Sequence, residues 1–273
     1  MYQVDAFSRS LFKGNPAAVV VTDTWLDIDA MQNIALENNL AETAFVRTID
    51  DENYEIRWFT PTVEVDFCGH ATLASGFILF KFFTTKKTLQ FHVKDLGIFV
   101  LTQNEDGKIR MNFPMRRPVK LDSYPVILND MVDVPFHSVY VNQQAYILCC
   151  DSEDDVHRAQ PNLEKIKALG QLEHKSTTIT ASDLDLTLTA ESVEHDYVAR
   201  YFAPHKGINE DPVTGSMHTG LAPLWAEKLG KNQLIAYQAS ARGGVLYCEL
   251  LAEDRIEIAG YGKLYMVADI LLD

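Results

Sequence analysis

Apolar and polar positions alternate so as to divide the chain into short runs of strand character with a few helical stretches between them. Ala17–Val21, Thr43–Arg47, Tyr54–Phe59, Thr88–Val93, Gly97–Thr102 and Ile109–Phe113 are each apolar or alternating and are bounded by Gly, Asp, Asn or Lys. That pattern predicts strands joined by turns. A helix is predicted from about Asp27 to Asn38, with Met31, Ile34 and Ala35 at helical spacing and Asp27 or Asp29 as N-cap. A second begins near Gly69 and runs through ATLASGFILFKFF. It is apolar on nearly every face until Lys81, so protein should enclose it on all sides.

The rest of the chain repeats this plan. Strands are predicted around Ser138–Val141, Tyr146–Cys150, Thr177–Thr180, Leu184–Thr189, Val198–Phe202, Leu234–Gln238, Val245–Leu250 and Ile256–Ile258. A helix near Asn162–Leu169 carries Leu163, Ile166 and Leu169 on one face, and another runs from Gly215 through SMHTGLAPLWAEKLG to a C-cap at Gly230. Proline and charge cluster in Pro114–Pro125, which places a boundary between residues 1–118 and 119–273, with the last strand able to cross back to the first half. Phe59-Thr60-Pro61 precedes Gly69-His70 through the acidic loop VEVD, and Phe202-Ala203-Pro204 precedes Gly215-Ser216 through INED. The expected fold is therefore α+β, with two pseudo-symmetric halves that each wrap strands around a central helix. The two helix N-termini are expected to face each other across a cleft.

Composition narrows the function classes. A chain of 273 residues, 47% hydrophobic and 23% charged, has the make-up of a soluble globular protein. Its 24 basic and 38 acidic residues give a formal charge of -14, which repels phosphate and argues against nucleic-acid or anionic-membrane partners. A small anionic substrate is still compatible, because backbone N–H groups can make a cleft locally positive. The opening MYQVDAFSRSLFKGNPAAVVV lacks the basic region and long apolar run of a signal peptide. No stretch approaches the ~18 apolar residues of a membrane span. Cys68, Cys149, Cys150 and Cys248 are too scattered for a disulfide scaffold. The expectation is a reduced, cytoplasmic protein.

Chemistry concentrates at the two apolar helices. The first turn of a helix has unpaired N–H groups and a positive dipole end, and glycine there lets a ligand approach the backbone. Cys68 and His70 flank Gly69; Asp211, Thr214 and Ser216 flank Gly215. Glu42, in NNLAETAFV, stands at a strand start between Leu40 and Phe45. Desolvation there would raise its pKa toward the working range of a proton shuttle; the alternative is a solvated turn residue.

These residues carry a resemblance. GNPAAVV, NLAETAFV, the F-x-P stretch followed by FCGHATLASG, EDPVTGSMH, and QASARGG at Gln238–Gly244 resemble the PhzF family in the same order and over nearly the whole chain. That family is named for the isomerase of phenazine biosynthesis and is structurally similar to diaminopimelate epimerase. The resemblance implies the two-half fold and makes Glu42 the acid–base. His70 beside Gly69, and Asp211 and Ser216 beside Gly215, become the residues that bind and orient substrate. In the phenazine enzyme the corresponding glutamate moves a proton between ring carbons of a dihydro-hydroxyanthranilate without metal or organic cofactor; the resemblance implies that kind of step here without fixing the substrate, in a family whose members are often homodimers.

Several residues keep two readings. Cys68 aligns with a thiol acid–base of the related epimerases, but the second helix opens with VTGSMH and supplies no partner thiol. Cys68 is then a small apolar residue at a buried helix start, unless His70 or the helix dipole activates it. Asp66, Cys68, His70, His205 and His218 show no familiar ligand spacing, so no metal is expected. His218, inside the apolar helix, reads as a core histidine. Asn15 in KGNPAAV either forms an Asn-Pro turn or touches substrate, and Arg242-Gly243-Gly244 reads as a turn with no assigned chemistry. The expected function is a cofactor-independent isomerase moving a proton on a small cyclic or amino carboxylate. The alternatives are an amino-acid epimerase or racemase using Cys68, and a non-catalytic metabolite-binding protein.

Overall fold

The computed structural model describes residues 1–94, 96–171, 174–175 and 180–272. The chain forms two compact units, Met1–Asn112 with Glu257–Asp273, and Phe113–Ile256. The first unit thus closes at Asn112, ahead of the division predicted after residue 118. It regains the chain at Glu257 because Gly262–Val267 pairs antiparallel with Tyr2–Ala6.

In the first unit Tyr2–Ala6 also pairs antiparallel with Asn15–Thr22, which runs parallel to Glu42–Thr48. Glu42–Thr48 is antiparallel to Asn53–Phe59, Asn53–Phe59 is parallel to Thr88–Val93, and Thr88–Val93 is antiparallel to Gly97–Gln103. Helix α1 (Ile28–Asn38) makes the first parallel crossover, and its buried residues are Met31, Ile34 and Ala35, the three at helical spacing. They pack with Val20, Phe45 and Phe59. Asp27 holds the cap position of α1 but makes no side-chain cap hydrogen bond. Helix α2 (Gly69–Phe82) makes the second crossover and is buried from His70 to Leu79 except at Phe77, as expected of a helix with no polar face.

The second unit has the same order of pairings. Phe136–Val141 is antiparallel to Ala145–Cys150, which is parallel to Asp185–Glu191. Asp185–Glu191 is antiparallel to Tyr197–Phe202, Tyr197–Phe202 is parallel to Gln233–Gln238, and Gln233–Gln238 is antiparallel to Gly244–Leu250. Helices α3 (Glu153–Arg158) and α4 (Leu163–Leu169) occupy the first crossover, capped by the Ser152 and Asn162 side chains. Helix α5 (Gly215–Leu229) occupies the second and ends at Gly230 in the left-handed region, with φ 67°. The faint sequence repeat therefore corresponds to two units of one topology, each with its apolar helix at the same crossover. Of the predicted strand Thr177–Thr180, Thr180 falls in Thr180–Ala181, and residues 177–179 lie outside the described residues.

Pro223 inside α5 has no N–H for the Thr219 carbonyl. That carbonyl instead accepts the Arg116 N–H at 3.0 Å. A helix-breaking residue becomes a docking point for the segment that begins this unit. All four cysteines are free and buried. Among the described residues no helix is long and apolar enough to cross a membrane.

Candidate active site

In the first unit, Asn39 closes α1 in the left-handed conformation, φ 48°, with its N–H on the Ala35 carbonyl. The chain then starts the strand Glu42–Thr48, so Glu42 stands at the strand's first position, opposite Ala17. Cys68 is the extended N-cap of α2, and the Thr72 N–H makes the helix's first backbone bond, to the Cys68 carbonyl at 3.1 Å. The N–H groups of Gly69, His70 and Ala71 are left without intrahelical acceptors.

Glu42, Cys68, His70 and Asn15 come together around the imidazole. Glu42 Oε2 lies 3.1 Å from His70 Nε2. On the other ring nitrogen, Nδ1, converge Asn15 Nδ2 at 3.2 Å and Cys68 Sγ at 3.4 Å. Glu42 is 9% exposed and Asn15 fully buried. Asn15 is therefore part of a side-chain cluster rather than a plain turn.

The charges of this cluster follow from its contacts. Burial pushes the Glu42 carboxyl up, but the His70 charge and hydrogen bonds from His70 and Cys68 outweigh it, and the net direction is down. This corrects the expectation from the apolar flanks alone, in which desolvation decided the direction. Burial pulls His70 down, yet the neighbouring Cys68 and Glu42 raise it well above the usual imidazole range. Burial and the Glu42 charge push the Cys68 thiol up to about 11. Near neutrality the sulfur is therefore protonated, and Glu42 and His70 form the ion pair. Glu42, Cys68 and His70 also bring one ligand atom each within 4.8 Å of one another, a set able to hold a metal ion among the described residues. The spacing of these residues in sequence gave no sign of it. A divalent ion there would compete with the protons of all three.

In the second unit, α5 opens behind the loop Asp211–Thr214. Thr214 is its extended N-cap and makes no side-chain cap; its hydroxyl donates to Asp211 Oδ2. Gln238, fully buried, clamps this loop: Oε1 accepts the Thr214 N–H at 2.7 Å, and Nε2 donates to the Asp211 carbonyl at 2.8 Å and to Thr214 Oγ1 at 3.2 Å. Ser240 Oγ donates to the Pro212 carbonyl at 2.8 Å. The QASARGG stretch thus shapes the loop before Gly215 and Ser216 through Gln238 and Ser240, a role that no feature of the motif disclosed.

His218 is fully buried, with Nδ1 2.8 Å from Tyr197 OH, and burial lowers its pKa to about 3. It is a neutral core histidine. His205 lies 3.4 Å from Asp185 Oδ1 and 3.2 Å from the Asp183 carbonyl.

A carboxylate paired with an imidazole at the start of one apolar helix, within this doubled topology, defines the class: an α+β isomerase of the diaminopimelate epimerase-like fold. The sequence model of the phenazine biosynthesis-like proteins, PhzC-PhzF, matches residues 4–267, and the chain belongs to that family. It is 41% identical over 267 residues to an uncharacterized isomerase of Pseudomonas aeruginosa, covering 97% of this chain and 96% of the relative. A crystal structure of a PhzC/PhzF protein from Clostridium difficile superposes with a TM-score of 0.89 at 39% identity, covering 99% of this chain and 98% of the other. A predicted epimerase of Pseudomonas aeruginosa, 19% identical with a TM-score of 0.72 over 100% of this chain and 99% of its own, shares the fold.

Proposed function

We propose that the protein isomerises a small cyclic or amino carboxylate by moving one proton, with Glu42 as the acid–base and no cofactor. The observation that carries this reading is the nearly buried Glu42 carboxylate held 3.1 Å from His70 Nε2. The imidazolium keeps Glu42 ionised at rest, as a proton acceptor must be. Glu42 removes a proton from a substrate C–H, and the electron pair of that bond spreads into the conjugated system of the substrate. The same carboxyl then returns the proton to a second carbon, which shifts the double bonds and restores the carboxylate.

His70 stays protonated throughout, steadying Glu42 as its charge appears and disappears. Asp211, Gly215 and Ser216 bind and orient the substrate, helped by the unpaired N–H groups at the start of α5. Gly69 and Asn15 serve the same end beside Glu42. The functional unit is a homodimer, following the family resemblance.

The test is turnover of dihydro-hydroxyanthranilate, then of a panel of cyclic and amino carboxylates, by the wild type and Glu42→Gln. Loss in the variant with substrate affinity retained is expected; full activity of Glu42→Gln sinks the assignment. A second reading, an epimerase in which the Cys68 thiol is the second acid, draws on the 3.4 Å contact between Cys68 Sγ and His70 Nδ1. It requires Cys68→Ala to abolish exchange of the substrate α-hydrogen.

A further inference from the structure

Gln144 lies in the turn between Phe136–Val141 and Ala145–Cys150, and its side-chain amide has partners at both ends. Its Oε1 accepts from Arg116 Nη1 at 3.0 Å. Its Nε2 donates to Tyr201 OH at 2.8 Å and to Ser216 Oγ at 2.9 Å. The two ends of an amide have the same shape, so the neighbours decide which way it points. A guanidinium has donors and no acceptor, so only Oε1 can face Arg116. Both N–H groups are thereby aimed at the two hydroxyl oxygens.

The far end agrees. Tyr201 takes the Gln144 hydrogen on its oxygen and gives its own to Asp185, which also accepts from Lys206 Nζ at 2.7 Å and is 1% exposed. A donor-only group stands at one end of this chain and a carboxylate at the other, so the hydrogens between them run in one direction. Ser216 is the side branch. Its Oγ receives a hydrogen from Gln144, which leaves its own hydrogen to be donated to another partner, beside the N–H groups that open α5.

We propose that Gln144 is a positioning residue: oriented by Arg116, it holds Ser216 as a hydrogen-bond donor, so that this position takes a carboxylate in preference to the matching carboxamide. The inference rests on the reading of Ser216 as a substrate-binding residue. A carboxylate can take the Ser216 hydrogen and the N–H groups of the first turn on both of its oxygens, whereas a carboxamide has one oxygen for them and turns an N–H toward the remaining donors. The backbone supports the same arrangement. Arg116 docks on α5 through the Thr219 carbonyl freed by Pro223, and the Gln144 N–H is held by Asn142 Oδ1 at 2.8 Å.

The experiment measures the affinity of anthranilate and of anthranilamide by calorimetry in wild type, Gln144→Glu, Arg116→Met and Ser216→Ala. Glutamate keeps the size of glutamine but offers only acceptors, so Ser216 turns its O–H inward. The expected result is a wild-type preference for the acid that falls about tenfold in Gln144→Glu, the scale of one hydrogen bond to a charged group. Arg116→Met, a change at an exposed residue, frees the amide to turn over and lowers the preference by a smaller factor. If Gln144→Glu does not fold, Arg116→Met alone decides. A general loss of stability would weaken both probes alike, and because both substitutions also make the surroundings more negative, the acid-to-amide ratio is read at low and at high salt, where a Coulomb effect shrinks and a positioning effect persists. Loss of the preference in Ser216→Ala with less than a twofold change in the Gln144 and Arg116 variants overturns the positioning role and leaves Ser216 as a binding residue. An unchanged preference in Ser216→Ala, or no binding of either probe by the wild type, overturns the reading of Ser216 and this inference with it.

Discussion

Gly220→Ala sets helix propensity against packing, and the structure shows which should prevail. A Cβ at this position of α5 would stand 2.4 Å from Asn142 Nδ2 and 3.0 Å from the Arg116 carbonyl oxygen. Asn142 is a side chain, but it is not free to withdraw. It is 3% exposed, its Nδ2 donates to the Arg116 carbonyl at 3.2 Å, and its Oδ1 accepts the N–H groups of Gln144 at 2.8 Å and Ala145 at 2.9 Å. Displacing it puts three hydrogen bonds at risk, each with a net contribution of about 1 kcal/mol. Alanine returns about 1 kcal/mol through its better helix propensity. The expected net loss is ~2 kcal/mol, which for a chain of this size lowers Tm by about 3–4 °C. Differential scanning calorimetry of both proteins under one set of conditions reads the shift. Because Gln144 sits on the displaced turn, the acid-to-amide preference should fall in the same variant. A Gly220→Ala protein as stable as the wild type, or more so, would mean that propensity prevails and that the turn has room to move.

Other expectations concern the Glu42–His70–Cys68 cluster. Replacing His70 with Leu removes the main partner that lowers Glu42, so burial then governs and the acid limb of the pH–rate profile should move to higher pH; an unmoved limb would contradict the pairing. The ion pair should also stabilise the first unit within a window. The raised His70 contributes fully below its ordinary 6.5 and is lost as pH rises through its folded value, while the lowered Glu42 contributes above its ordinary 4.5 and is lost as pH falls through its folded value. Unfolding measured against pH should thus show a stabilising contribution that is full between 4.5 and 6.5 and absent from His70→Leu. Zinc should inhibit turnover, with full recovery on chelation and much weaker inhibition of Cys68→Ser; undiminished inhibition of that variant would place the ion elsewhere. Cys68→Ala should keep at least about a tenth of the activity, since its thiol lies outside the proton path; complete loss would favour the epimerase reading.

Much of the fold was legible because its elements carry one-dimensional signals. Met31, Ile34 and Ala35 repeat at the helical period and are the buried residues of α1, and ATLASGFIL has no polar face and is enclosed. Tyr2–Ala6 and Gly262–Val267 were not predicted as strands: each is mixed in polarity, and each is stabilised by the other from the far end of the chain. Helix α3 escaped because EDDVHR is nearly all charged and depends on the Ser152 cap and an acidic first turn. The candidate site residues were legible as residue types at helix and strand starts. Their electrostatics were not. The flanks Leu40 and Phe45 report burial of Glu42, but the imidazole that reverses the direction arrives through α2, from a separate part of the chain. Gln144, Tyr201 and Asp185 lie in no motif, and their directionality emerges only when the turn that carries Gln144 meets Ser216 of α5 and Arg116 of the segment docked on that helix.

The most direct test of Glu42 as the proton carrier is solvent exchange. Wild-type protein and Glu42→Gln are incubated in D2O with dihydro-hydroxyanthranilate and then with the carboxylate panel, and deuterium at carbon is followed by NMR. The account expects deuterium uptake or a shifted double bond in wild type, lower by about 10²–10⁴-fold in Glu42→Gln. Exchange at an equal rate in the two proteins, or a ligand bound tightly by wild type that neither exchanges nor isomerises, would contradict it.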